Sequence, residues 1–282
     1  PIAVTPPLVV EIGLVIVGFI QYRWIRAWMG TTTFWGLFFL VMGSSWLAEH
    51  SAIEMYDFYH YSDAWHGFVG HVPLAIILIW PMVILSTFWL MKRFSLSGMS
   101  LVLTATTSVI LEALLIEVIC VQADLWTWEG QGVFGVPIIG CLGWGMFAIG
   151  AFLTIEYLNK KRWILMPVYG FISTHLLLQV SWRLGFDSLS YIQVPDIASL
   201  IGVGVFSLIS AAMFAIKRNV WKISMLEVVP RIFASWLIFY LLLDAEPSLM
   251  VILFCLMYVP PYLILFTFEW RLKPLSGLSM KV

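Results

Sequence analysis

Charged side chains are scarce in this chain: they make up 11% of its 282 residues, against 61% hydrophobic ones. A soluble domain of this length does not hide so much apolar surface, so the composition expects a polytopic membrane protein and no soluble domain. The formal net charge of -1 gives no reason to expect a nucleic-acid partner. Cysteine is equally sparse. Cys120, Cys141 and Cys255 all fall inside apolar runs with no CxxC pair, which leaves a disulfide framework or a zinc site without support. No GxGxxG, P-loop or GxSxG element occurs, which removes nucleotide-driven and serine-hydrolase chemistry. Five histidines are present, but neither HExxH nor the repeated HxxxH or HxxHH spacing of a membrane di-iron enzyme is among them, so no metal is expected. The first apolar run has no basic stretch before it, and a cleavable signal peptide is not expected.

What the chain does have is long apolar runs. Nine are of spanning length, at about 7–22, 34–56, 72–91, 99–123, 135–157, 163–182, 197–216, 228–243 and 248–269. Alternate connections hold Arg23 and Arg26, then Lys92 and Arg93, then Lys160, Lys161 and Arg162, then Lys217, Arg218 and Lys222, and finally Arg271, Lys273 and Lys281. Thirteen of the fifteen basic residues thus fall on one side; Arg183 and Arg231 do not. The opposite connections carry Asp57, Asp63, Asp124, Glu129, Asp187, Asp196, Asp244 and Glu246. The expectation is one all-α transmembrane domain over 1–282, a helix bundle of about nine spans. Its N-terminus lies outside and its C-terminus in the cytoplasm.

Two stretches share one grammar. Glu49, Glu54, Tyr59-His60-Tyr61, Gly67, Gly70, Val72-Pro73 and Trp80 are answered by Glu112, Glu117, Trp126-Thr127-Trp128, Gly132, Gly135, Val136-Pro137 and Trp144. In both, the glutamates are five apart and the proline precedes the tryptophan by seven. Units 34–91 and 99–157 are therefore expected to be a repeat of helix hairpins running parallel, packed about a pseudo-twofold and facing one cavity.

The acids in these units bear on chemistry. A carboxylate in hydrocarbon is costly, so it faces a polar cavity, pairs with a partner or stays protonated. A spacing of five sets two side chains about 140° apart on a helix, so one acid of each pair can line a cavity while the other meets a neighbour. A purely structural role, bridging helices by hydrogen bonds, is the plainer alternative. The aromatics following the acids suit a membrane interface in any case. Their faces could also line a pocket for a long apolar substrate and stabilise a developing carbocation. His50, His60, His66 and His71 around the first loop suit a proton relay or an interface, and His175 stands alone. Arg183 with Asp187 reads as an interfacial ion pair.

The stretch from Ala48-Glu49 through Tyr59-His60-Tyr61-Ser62-Asp63 to Gly70-His71-Val72-Pro73-Leu74 resembles the integral-membrane carotenoid hydratases, among them the bisanhydrobacterioruberin hydratases and carotenoid 2-hydratases. Asp124-Leu125-Trp126-Thr127-Trp128-Glu129 through Phe134-Gly135-Val136-Pro137-Ile138 to Gly143-Trp144 is similar to the second signature block of that family. The likeness covers residues 48 to 145. It departs where Leu125, not proline, follows Asp124, and in the histidine-rich first loop. The resemblance implies a cofactor-free enzyme that protonates a terminal double bond of an acyclic carotenoid or related isoprenoid and captures the tertiary cation with water.

On that reading Glu117 or Glu54 is the proton donor, Asp124 and Asp63 are its water-side partners, and Glu49 and Glu112 are further candidate acids. Tyr59, Tyr61, Trp126 and Trp128, with Trp80 and Trp144, bind the substrate. The partners implied are that lipophilic substrate and membrane lipid. A membrane terpene or carotenoid cyclase or isomerase would use the same protonation. A transporter or non-catalytic subunit of a membrane complex would use the acids for proton relay or helix contact.

Overall fold

The computed structural model describes residues 5–181, 183–184, 194–217 and 225–266. Arg218, Lys222, Arg271, Lys273, Lys281 and the Asp187 partner expected for Arg183 lie outside the described residues.

The chain is mostly helical. Its order is α1 (Pro6–Met29), α2 (Thr31–Tyr56), β1 (Tyr59–Tyr61), β2 (Phe68–Val69), β3 (Val72–Pro73), α3 (Leu74–Arg93), α4 (Gly98–Gln122), β4 (Trp126–Trp128) and α5 (Ile138–Tyr157). A 3-10 turn over Lys160–Leu165 then leads into α6 (Met166–Ser181), followed by α7 (Asp196–Lys217), α8 (Met225–Asp244), α9 (Leu249–Leu256) and α10 (Val259–Phe266). Five helical stretches are long and apolar enough to cross a membrane: Pro6–Met29, Leu74–Arg93, Gly98–Gln122, Ile138–Tyr157 and Lys160–Ser181. The run at 248–269, expected as one span, forms two eight-residue helices that meet at Met257–Tyr258. Pro260 and Pro261 explain the break. Proline brings no N–H and a fixed φ, so it starts a helical turn more readily than it continues one.

Local chemistry sets the other ends. Pro6 and Pro7 open α1, where a missing N–H costs nothing, and Gly30 at φ 83 turns the chain into α2. Pro73 and Pro137 stand immediately before α3 and α5, holding the preceding backbone extended. Asp57 and Asp124, just past α2 and α4, take positive φ values of 53 and 52. Aspartate tolerates that left-handed conformation, and here it folds the chain back over the helix it has just left.

The helices pack α1 against α2, α3 and α8, α2 against α3 and α6, α4 against α3, α5 and α8, and α5 against α6. At one end of the bundle the Lys92 ammonium lies 2.7 Å from the Glu156 carboxylate, which also accepts the Gly98 N–H at 2.7 Å. Among the described residues, that end carries the basic connections after α1, α3 and α5. At the other end β1 pairs antiparallel with β4, joining the connection after α2 to the one after α4. Broad apolar faces point outward, with Val15 on α1 71% exposed and Leu208 on α7 66%. Such faces suit lipid, since a soluble surface rarely carries contiguous apolar patches of this kind.

Candidate functional site

The β1–β4 ladder sets Tyr59 opposite Trp128, His60 opposite Thr127 and Tyr61 opposite Trp126. Side chains alternate along a strand, so the four large rings share the face turned toward the helices while His60 and Thr127 turn outward. The Tyr59 and Trp128 rings meet across the ladder tilted, with centroids 4.6 Å apart, and those of Tyr61 and Trp126 meet edge to face at 5.8 Å. Trp65 donates its indole N–H to the Leu125 carbonyl at 3.0 Å and locks the first loop to the second.

Beneath this lid each helix hairpin places one glutamate in a cup of three aromatic donors. The Glu49 carboxylate accepts from the Tyr59 hydroxyl, from Tyr61 at 3.1 Å and from the Trp80 indole at 3.0 Å. Glu117, itself buried, accepts from the indoles of Trp126 at 2.7 Å, Trp128 at 2.9 Å and Trp144 at 2.6 Å. The rings of Trp80 and Trp144 meet at 4.9 Å, so the two cups adjoin. Burial first, and then the Glu49 charge, push the Tyr59 and Tyr61 hydroxyls well above the ordinary phenol range, which keeps both as donors.

The cups differ in chemistry. Indole N–H groups only donate, so Glu117 is an acceptor at three of its lone-pair sites; phenols both donate and accept, so Tyr59 and Tyr61 can pass a proton on to Glu49 while each stays neutral.

Both acids, all six aromatic partners and Glu112 line one cavity of about 440 Å³. The rest of its wall is largely apolar, including Val10, Leu14 and Val17 of α1, Ile76 and Val83 of α3, and Ile238 and Leu241 of α8. Of the acids expected at a site, the fold thus brings together Glu49, Glu112 and Glu117. It leaves out three others. Glu54 is exposed, with His71 Nε2 at 2.6 Å from its carboxylate. Asp63 is exposed, and Asp124 is an exposed turn residue with positive φ. The equal spacing of five matched Glu54 with Glu117, but the hydrogen bonds match Glu49 with Glu117.

The histidines of the first loop meet carboxylates at the surface: His66 meets Glu11 at 2.8 Å, and His60 lies 3.5 Å from Asp57 and 3.6 Å from Glu129. Among the described residues no three His, Cys, Asp or Glu side chains converge as a metal site. His175 is not solitary. Its Nε2 lies 2.8 Å from the Ser51 hydroxyl and its Nδ1 3.0 Å from that of Tyr56, which ties α6 to α2.

The wall contributed by α1 and α8 was not anticipated from sequence. A signal existed in Gln21, a lone amide at the end of an apolar run, which lines the cavity with its buried Oε1 unpartnered among the described residues. No family model, curated protein or solved structure matches this chain.

Proposed function

We propose that this protein is an integral-membrane enzyme that adds water to a terminal double bond of an acyclic carotenoid or related isoprenoid. The observation that carries the reading is the pair of glutamates, each held by three aromatic donors, facing one largely apolar cavity. An apolar cavity suits a lipid-soluble substrate; a small set of placed polar groups suits one reaction on it.

Glu49, starting as the neutral carboxylic acid, delivers its proton to one alkene carbon and is recharged through the Tyr59 and Tyr61 hydroxyls. The tertiary cation forms among the faces of Tyr59, Tyr61, Trp126 and Trp128, whose ring quadrupoles attract positive charge in a water-poor site. Glu117, fixed by its three indoles, offsets that charge and orients the water. The water oxygen bonds to the cation and sheds a proton, which replaces the one delivered, so one water is added and the acids end as they began.

The two cups support a parallel repeat about a pseudo-twofold through the β1–β4 ladder. Nine apolar runs with alternating charge support nine passes, the N-terminus outside and the C-terminus cytoplasmic. The experiment is expression in a host that makes acyclic carotenoids, followed by pigment mass analysis. A product heavier by one water is expected, lost in Glu49→Gln and Glu117→Gln and kept in Glu54→Gln. A product of unchanged mass would instead mean cyclisation or isomerisation. Unaltered pigment would favour a transporter or subunit.

A further inference from the structure

The cavity has a direction. On α1 its lining runs from Val10 to Gln21, eleven residues or about 16 Å of helix; on α3 it runs from Ile76 to Ser86, about 15 Å. The acids sit toward the ladder end, since their partners Tyr59, Tyr61, Trp126 and Trp128 belong to the ladder itself. Depth is therefore about half of a hydrocarbon core of about 30 Å.

The wall is unevenly covered. Among the lining residues only Ile232, 42% exposed, and Leu263, 56%, are open to the outside, and they sit on α8 and α10. Higher up, α1 and α8 close on each other: a Cβ on Gly13 of α1 would run into the Leu237 side chain of α8. Ile232 lies five residues below Leu237 on α8, about 7–8 Å nearer the basic end of the bundle.

We propose that the cavity is a one-ended slot for a linear isoprenoid chain. The reactive end is held between Glu49 and Glu117, and the remainder leaves sideways between α8 and α10, past Ile232 and Leu263, into the lipid. The slot then recognises the end of a chain and is indifferent to the length beyond the mouth. A long polyene can react without entering whole, since the part outside stays in its own solvent. The proposal rests on the isoprenoid reading of the site, though its test does not require turnover.

Two linear isoprenoid probes, one of farnesyl and one of geranylgeranyl length, would carry a diazirine at the end remote from the reactive double bond. Each is photolysed with the purified full-length protein, and the adducts are mapped by mass spectrometry. The short probe is expected to label the slot interior and the long one the segments around Ile232 and Leu263. In the double variant Ile232→Trp with Leu263→Trp, labelling of the mouth segments by the long probe is expected to fall about tenfold, while interior labelling by the short probe changes little. Both positions already face outward, so the larger rings can be accommodated. Adducts of the long probe confined to another face, or equal loss of both probes in the variant, would overturn the slot. Correct adducts without any water addition would retain the slot and sink the hydratase.

Discussion

Trp144 and Tyr59 stand in matching cups but do different work, and replacing each by phenylalanine separates them. Trp144→Phe removes one N–H from Glu117 and keeps an aromatic, though smaller, ring. A hydrogen bond to a charged group contributes about 1.5–3 kcal/mol, so turnover should fall by about tenfold or more with helix content unchanged in circular dichroism. Tyr59→Phe removes a group that both gives and takes a proton, and nothing else in its cup but Tyr61 can replace it. The double variant Tyr59→Phe with Tyr61→Phe should therefore lose far more activity than the product of the two single losses. Simple multiplication of the two losses would show that the phenols do not act as a shared relay. Glu54→Gln should leave the rate within about twofold, since that acid faces His71 at the surface.

The turn between Gly132 and Pro137 holds α5 to the ladder, and it has no room for a side chain at its first residue. A Cβ on Gly132 would lie 2.0 Å from the Val136 carbonyl and 2.8 Å from the Pro137 Cα, both backbone atoms. Gly132→Ala must therefore open the Val133–Val136 bridge. A loss of about 1–3 kcal/mol is expected, read as a lower midpoint of thermal unfolding in detergent. Gly36→Ala on α2 is the control: it meets nothing within 4 Å and should be neutral or slightly stabilising. The hairpin elements were legible because prolines, glycines and paired aromatics mark them in the sequence. The match of the acids was not, because equal spacing of five favoured the wrong partner. Aligning Asp57-Phe58-Tyr59-His60-Tyr61 with Asp124-Leu125-Trp126-Thr127-Trp128 instead brings Glu49 beside Glu117, with one residue of difference inside the helix. The two aspartates supply that register because each sits at the positive φ where its helix turns back. The α1 and α8 walls left little trace, since apolar side chains lining a cavity read the same as apolar side chains facing lipid.

Taken whole, the molecule has two unlike ends, and their difference can be read chemically. One end carries Lys92, the 3-10 turn with Lys160, Lys161 and Arg162, and the Glu156 carboxylate that holds two connections together. The other carries the ladder and its exposed acids and histidines. Cationic loops stay in the cytoplasm during insertion, so the basic end should lie inside and the ladder outside. Cysteine labelling tests this with little interference, because Cys120, Cys141 and Cys255 are all buried. A membrane-impermeant maleimide cannot reach them, so background labelling should be low. Asp63→Cys in the exposed first loop should react in intact cells, and Lys161→Cys should react only after the membrane is opened. Each substitution lies clear of the glutamate cups, so pigment chemistry can be followed in the same cells. The opposite labelling pattern would invert the protein and put the ladder, with the acids beneath it, on the cytoplasmic side. Water and protons would then have to reach the acids from the cytoplasmic side.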